Sequence, residues 1–356
     1  MKDSILKIPI LPAELITEIL LKFIISANNK DYTHHRLVLS SAESSYKLKD
    51  CSLSSLFNDF VTELFDLDYP TKNTHQSVWV VGSINGLTCL ANRSTDLFLW
   101  NPSIRKFKKL HDPSIRTSGC HFDCHASVKY GFGYDESCDD YKVVVVMFYI
   151  CRYVSLHPVK VKIYSLKSDY WRTVIGNYPG EMCSSDVGTF VNGKLHWASN
   201  NGCCLHRGWN IISIDLTDEK WGKLEQPRYG EGDTLLLLSV LRSDLSVCCS
   251  YMRSHTDVWV MKEYGVKESW TKMLTIKYPT VFGNNLFSPF LSPTLCMSKK
   301  GEILLMSGST FMIHNPEDES IRNTEVANVS TSIAACIYIE SLVCPYLQNE
   351  PSTQQE

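Results

Sequence analysis

From about residue 77 onward, short apolar runs alternate with polar clusters rich in Gly, Asn, Asp and Ser, and within the runs apolar side chains recur at every second position. That period belongs to strands. The clearest are SVWVVGS, GLTCLAN, DLFLWNP, YKVVVVMFYI, VKIYSL, GTFVNGKLHWAS, NIISIDL, TLLLLSVL, DVWVMK and TFMIHNP. A helical period appears near the start, where Leu15, Ile16, Ile19, Leu20 and Phe23 fall on one face and Pro12 suits a first helical turn. The pattern predicts an all-β body preceded by a short N-terminal helix.

The strands repeat as a unit in which two alternating apolar positions are followed by a polar turn and then by an aromatic residue that opens another short strand. Leu97, Leu99 and Trp100 lead to Phe107; Val161, Ile163 and Tyr164 lead to Trp171; Ile212, Ile214 and Asp215 lead to Trp221; Val258, Val260 and Met261 lead to Trp270. A further copy, Phe311, Ile313 and His314, lacks the closing aromatic. In front of each lies a second hairpin with its turn at Asn85-Gly86, Asp140-Tyr141, Asn192-Gly193, Ser243-Asp244 or Lys300-Gly301. Each unit therefore has about four strands, and successive units are roughly 45 to 65 residues apart, near the length of one propeller blade. A single blade buries its faces only against neighbours. The strands in ACIYIESLVC, HHRLVLSS and SYKLKD, drawn from the two ends of the chain, supply a sixth unit that closes a ring. The expectation is a β-propeller of about six four-stranded blades. A pair of antiparallel sandwiches is the alternative; the recurring aromatic favours blades, where one large side chain per sheet fills the gap to the next. The expected boundaries are a helix over 1–24, a linker with the first propeller strands over 25–76, the propeller over 77–346 and a disordered polar tail over 347–356.

Composition narrows the partners. Hydrophobic residues at 44% and charged residues at 21% fit a globular chain. A net charge of -3 without a Lys/Arg stripe offers no footprint for phosphate backbones, so nucleic acid is not an expected partner. No apolar run approaches the roughly 20 residues that span a bilayer, and the opening segment carries acidic residues inside its apolar stretch, so neither an anchor nor a secretory signal is expected. The 14 cysteines are scattered, with adjacent pairs at Cys203/Cys204 and Cys248/Cys249, which favours reduced thiols in the cytoplasm or nucleus. Cys89, Cys248 and Cys296 fall at strand positions, where they are expected to pack as small hydrophobes.

Six segments, VGSINGLTCLA, LFLWNPSIRKFKKL, YGFGYDESCDDYKVVVV, VKIYSLKSDYWRTV, GTFVNGKLHWAS and IISIDLTDEKW, stand in the order found in plant F-box proteins with an F-box-associated interaction domain, related to the F-box/kelch-repeat group, which this chain resembles. Kelch glycine doublets are absent. The opening residues Ile10, Leu11, Pro12, Glu14, Leu15, Ile16, Glu18, Ile19, Leu20 and Phe23 are similar to the start of an F-box. The resemblance implies that Leu11, Pro12, Leu15, Ile16, Ile19, Leu20 and Phe23 form a face that docks on a Skp-type adaptor of a cullin ubiquitin ligase, while the propeller holds a target protein. After Phe23 the family pattern breaks off into IISANNKDYTHHR, and about 25 to 30 residues of the usual F-box are missing. A lone helix of about a dozen residues is marginal in water, so adaptor binding is expected to be weakened or lost. The second reading is a stand-alone interaction propeller that binds targets without presenting them to a ligase.

Catalytic chemistry is not expected, and neither a cofactor nor a metal is assigned. Cys120, His121, Cys124 and His125 in CHFDCH are soft ligands close together, but no second Cys/His pair follows at finger spacing. Cys203, Cys204 and His206 form a weaker cluster. GFGYDE, Gly131 to Glu136, lacks the third glycine and the helix of a phosphate loop and reads as a hairpin turn. Asp135, Glu136, Asp139 and Asp140 could ligate calcium, although solvated loop carboxylates are commoner. His196 and Trp197 read as blade packing. No G-x-S-x-G, H-E-x-x-H or Walker-type glycine loop occurs. A propeller enzyme would need a metal or paired acids at its central channel. Segments Ser114 to Ser127, Asn200 to Gly208 and Arg228 to Gly232 are candidate target contacts, on a rim that the sequence alone does not identify.

Overall fold

The computed structural model describes residues 32–346, apart from segments 42–46, 73–75, 93–94, 112–123, 152–158, 175–177, 180–181, 184, 201–208, 230–233, 252–253, 278–290, 308–309 and 328–331. Residues 1–31 and 347–356, which hold the expected N-terminal helix and polar tail, lie outside the described residues.

Six antiparallel sheets follow one another along the chain. Blade one consists of Val78–Ile84, Leu87–Asn92, Leu97–Asn101 and Lys106–Leu110. Blade two consists of Cys124–Asp135, Asp140–Cys151, Val159–Ser165 and Tyr170–Val174. In blade three, Met182–Cys183 and Thr189–Val191 both pair with Lys194–Asn200, and Trp209–Asp215 and Trp221–Leu224 complete the sheet. Blade four has Thr234–Leu241, Asp244–Tyr251, His255–Met261 and Trp270–Lys277, and blade five Leu291–Met297, Ile303–Ser307, Thr310–His314 and Ile321–Val326.

Blade six joins the two ends of the fold. Its order is Ser332–Ile339, His35–Ser41, Leu48–Ser52 and Phe65–Asp66, with His35 opposite Ile339 and Leu37 opposite Ile337. The first strand of every blade touches the first strand of the next, and Ser332–Ile339 touches Val78–Ile84, so contact returns to its starting point. Between blades two and three these strands run parallel at a bridge from Tyr130 to Val187, where Tyr130 N donates to Asp186 O at 2.8 Å and Gly188 N to Tyr130 O at 2.7 Å. Two stacked sandwich layers would not generate such a cycle. The protein is a six-bladed propeller with its first strands around a central channel.

There is accordingly no single core. Six apolar clusters lie one at each blade boundary. The run Val143 to Phe148 shows how one strand serves two of them. Val143, Val145 and Met147 pack toward blade one, while Val144, Val146 and Phe148 pack toward blade three, and all six are buried. A strand enclosed on both faces loses the polar half of its alternation.

The recurring aromatics bridge blades only in part. Trp221 meets Tyr178 edge-on at 4.9 Å and Trp197 at 6.0 Å in the boundary between blades two and three. Trp270 is buried, and its Nε1 donates to Glu225 O at 2.8 Å just past the last strand of blade three. Phe107 instead rests on Phe98 of its own blade and is 43% exposed, and in blade five the position falls to Ile321, 47% exposed.

Two of the expected turns sit earlier than their marker residues. In blade two the turn covers 136–139 with Asp139 at φ 55°, and Asp140 already begins the next strand; in blade four Arg242 takes the positive φ, 60°, and Asp244 begins the strand. Asn85-Gly86 and Asn192-Gly193 have both residues at positive φ, the signature of a type I′ turn.

Among the described residues one short α-helix, Leu53–Asn58, follows the strand Leu48–Ser52, and Leu53, Leu56 and Phe57 bury in the boundary between blades five and six. After it, Val61–Thr62 pairs parallel with Ile321–Val326 as a fifth strand of blade five.

Candidate functional site

Strand register sorts every connection onto one of two rims. In blade one, Ile84 faces Leu87 and Asn101 faces Lys106 at one end, while Val78 faces Asn92 and Leu97 faces Leu110 at the other. The same alternation holds in the remaining blades, so turns between first and second and between third and fourth strands share a rim.

This first rim is tight. It carries nearly all the positive-φ residues, among them Asn85, Gly86, Arg105, Asp139, Asp169, Asn192, Gly193, Glu219, Arg242, Gly301 and Glu319. Short polar side chains cap its turns: Asn101 Oδ1 accepts from Ser103 N at 2.9 Å, Asp215 Oδ1 from Thr217 N at 2.8 Å and Asn315 Oδ1 from Glu317 N at 3.0 Å. Asn101 Nδ2 also donates to Ser341 O at 3.1 Å and Val343 O at 2.8 Å, fastening the segment after the last strand to blade one.

Charges on this rim are paired across blades. Asp135 is buried and accepts from Lys142 Nζ at 2.8 Å, Ser137 N at 3.0 Å and Thr217 Oγ1 at 3.0 Å. Burial alone would raise its pKa, but those hydrogen bonds, Lys142 first, outweigh it and hold the carboxyl below the usual range. Lys142 also reaches Leu216 O and lies 3.8 Å from Glu219, which pairs with Arg172. Asp140 accepts from Lys167 N at 2.8 Å, and Asp139 from the Tyr134 hydroxyl. Three of the four carboxylates weighed for calcium are thus engaged in holding turns. Among the described residues no group of three or more His, Cys, Asp or Glu is arranged for a metal.

GFGYDE is likewise a packing device. A Cβ on Gly131 would lie 2.7 Å from Leu195 Cδ1, and one on Gly133 would lie 2.4 Å from Phe190 Cδ2, so both glycines let blade three approach. His196 is fully buried, with Nδ1 3.1 Å from Thr189 O and Nε2 2.7 Å from the Tyr264 hydroxyl; burial pushes its pKa down to about 4. Trp197, on the opposite face of the same strand, is buried in the boundary between blades two and three. Cys89, Cys248 and Cys296 are buried, and burial pushes each thiol up.

The opposite rim receives the long connections. Strand ends that border 112–123, 201–208 and 230–233 all lie on it: Leu110 and Cys124, Asn200 and Trp209, Leu224 and Thr234. The described residues that border the three sequence-selected segments therefore lie on one rim. Most residues of the segments, with Cys120, His121, Cys203, Cys204 and His206, lie outside the described residues. Residues 124–127, expected in a loop, instead start the first strand of blade two, where Cys124 opposes Cys151 and His125 opposes Ile150. Arg228 is exposed on this rim. The channel holds a cavity of about 370 Å³ lined by Ser83, Phe132, Thr189, Phe190, Ser239 and Cys336 among others. No carboxylate or histidine lines it among the described residues.

Residues 41–344 match the family model of the F-box associated beta propeller domain. The chain belongs to that family of plant F-box proteins. An F-box/kelch-repeat protein of Arabidopsis thaliana is 33% identical to it over 316 residues, covering 85% of this chain and 78% of the relative. The F-box protein CPR1 of Arabidopsis thaliana is 30% identical over 309 residues, covering 82% and 74%. Among solved structures, the six-bladed fungal lectin of Aleuria aurantia is similar at 10% identity and a TM-score of 0.43 over 82% of this chain and 96% of the lectin, a likeness too slight to carry an argument. F-box-associated propellers are interaction modules of ubiquitin ligase receptors as a family. Leu11, Pro12, Leu15, Ile16, Ile19, Leu20 and Phe23, the residues assigned to an adaptor, lie outside the described residues.

Proposed function

We propose that this protein is a substrate-recognition subunit of a Skp–cullin–F-box type ubiquitin ligase, which grips a target protein on the long-connection rim and does no chemistry itself. The observation that carries this reading is the polarity of the ring. Tyr32 and His35, where the N-terminal segment joins, and Glu340, where the last strand ends, lie together on the tight rim, with Glu340 N donating to His34 O at 2.9 Å. A segment preceding residue 32 thus meets the ring on the face opposite the long connections, which leaves that rim open to a target while the other end engages an adaptor. A cytoplasmic or nuclear location agrees with the buried, unpaired thiols.

One observation favours the second reading, a stand-alone interaction propeller. Tyr32 already packs on Phe57 of the ring, with centroids 6.3 Å apart, so only residues 24–31 separate the apolar segment from the propeller, and the further helices of a whole F-box have no room there.

Proximity labelling in plant cells, with the full chain and with a chain lacking residues 1–24, decides between them. The ligase reading expects the same target peptides from both chains, and adaptor and cullin peptides from the full chain alone. Absence of adaptor and cullin from both, with targets retained, would transfer the conclusion to the stand-alone reading.

A further inference from the structure

The cavity of about 370 Å³ in the channel occupies its tight-rim half. Ile84 stands at the turn where it faces Leu87, Phe190 and Val240 each lie one residue before the strand ends at Val191 and Leu241, and Ile337 lies two residues from Ile339, which faces His35 on the same rim. The first strands of blades one, two, three, four and six all contribute to its wall.

That wall is apolar and carries no charge. Ile84, Phe132, Phe190, Leu238, Val240 and Ile337 line it, and among the described residues no Lys, Arg, Asp, Glu or His does. The rim just outside is different, for Asp135, Lys142, Lys194, Asp215 and Glu219 are all engaged there in ion pairs. Ile84, Phe190, Val240 and Ile337 are only half-buried, so four blades leave apolar side chains open to the cavity.

Polar groups are few and dispersed. Ser83, Thr189 and Ser239 bring one hydroxyl each from three different blades, and Ser83 Oγ already donates to Leu87 O at 3.2 Å and accepts from Thr88 Oγ1 at 3.2 Å. A firmly held water needs about two to four polar partners, so water along the apolar stretch of this wall is loosely held, and an apolar molecule that displaces it gains affinity. An ion would give up its hydration and meet no counter-charge. The Cys336 thiol, also in the wall, is pushed up to about 12 by burial and adds no charge at neutral pH. Type I′ turns at Asn85-Gly86 and Asn192-Gly193 close two of the contributing hairpins and fix the wall in advance. The volume falls within the range of about 300–1,000 Å³ usual for small-molecule pockets.

We propose that the tight-rim half of the channel is a binding site for a small, uncharged, mainly hydrocarbon molecule whose few polar groups are met by the hydroxyls of Ser83, Thr189 and Ser239. The assignment stands independently of the ligase and stand-alone readings. The site lies at the end of the channel away from the long connections, so such a ligand leaves that rim free for a target.

Phenylnaphthylamine, a neutral dye that brightens in apolar surroundings, probes the site in the full chain, and anilinonaphthalene sulfonate, the same skeleton with a negative charge, is the control. One neutral dye per chain is expected, with the sulfonate bound about tenfold more weakly. Thr189→Trp and Val240→Trp fill the cavity from two blades, and each is expected to weaken the neutral dye by about tenfold or more while the urea midpoint stays near that of the parent. In the methyl-labelled parent, nuclear Overhauser contacts are expected from the dye to the methyls of Ile84, Leu238, Val240 and Ile337, which locates the site even if a variant fails to fold. No binding of the neutral dye up to its solubility limit overturns the proposal. Equal affinities for the two dyes, undiminished binding in both folded tryptophan variants, or Overhauser contacts confined to other methyls overturn it as well.

Discussion

Gly131 of blade two lies so close to Trp197 of blade three that a Cβ on the glycine would sit 2.9 Å from Cζ2 of the indole. Leu195 closes the same space at 2.7 Å, and neither side chain has room to retreat, since both are buried. Gly131→Val should therefore destabilise the ring by about 1–3 kcal/mol through overpacking. Urea unfolding of the variant measures it, and an unchanged midpoint would mean that the boundary between these blades yields more than its packing implies.

Lys142 and Asp135 form a buried pair whose members differ in consequence. Lys142→Met leaves the Asp135 carboxylate without its main donor and should cost about 3–5 kcal/mol. The double variant Lys142→Met/Asp135→Leu should recover part of that loss, because it removes the stranded charge. Should the double variant be less stable than Lys142→Met alone, the pair is worth more than its desolvation costs.

Acid should act first through His196. Its folded pKa, about 4, lies below the ordinary 6.5, so as pH falls the unfolded chain takes up the proton before the folded one does. Stability is then level above about 6.5 and declines between about 6.5 and about 4 by about 2–3 kcal/mol. His314, also lowered by burial, adds a decline of the same sign. The carboxyls of Asp135, Asp169 and Asp215, held below the ordinary 3.8, act at lower pH. Urea midpoints at pH 8, 6 and 5 should show a shallower slope in His196→Gln than in the parent; parallel slopes would remove His196 from the account.

Thiol reactivity should divide cleanly. Cys138 and Cys344 are exposed, whereas Cys51, Cys89, Cys248, Cys249 and Cys296 are buried with thiols pushed up. Iodoacetamide at neutral pH is expected to label the first two in the native protein and the other five only in denaturant, since the thiolate is the reactive form. Peptide mapping reads the outcome directly.

Much of this architecture was legible in the residues because turn chemistry is local. Asn85-Gly86 and Asn192-Gly193 announce hairpins wherever they stand, and the apolar pair before each polar turn marks the third strand of a blade. The roles of Phe107 and Trp221 were not separable in this way: both open a fourth strand, yet of the two only Trp221 meets an aromatic from outside its own sheet, and that depends on Tyr178, between blades two and three, being brought to it. Nor could sequence reveal that GFG in blade two is a bed for Leu195, Trp197 and Phe190, residues more than fifty positions away. Of the proposed target contacts, the sequence marked three segments but not that their described borders share a rim, which follows from strand direction. The exposure of Phe60, Val61 and Phe65 carries no sequence signal, because exposure of an apolar residue is decided by what the rest of the chain leaves uncovered.

Ring closure by the strand Ser332–Ile339 against His35–Ser41 has a consequence for biosynthesis. At translation speeds of about 5–20 residues per second, roughly 15–60 seconds separate the emergence of the two partners. During that interval His35–Ser41 waits with an open row of backbone donors and acceptors, a template for wrong pairing. A ribosome that stops short of residue 332 releases an arc with raw apolar surfaces at both ends, so the final strand acts as the protein's own proof of completion.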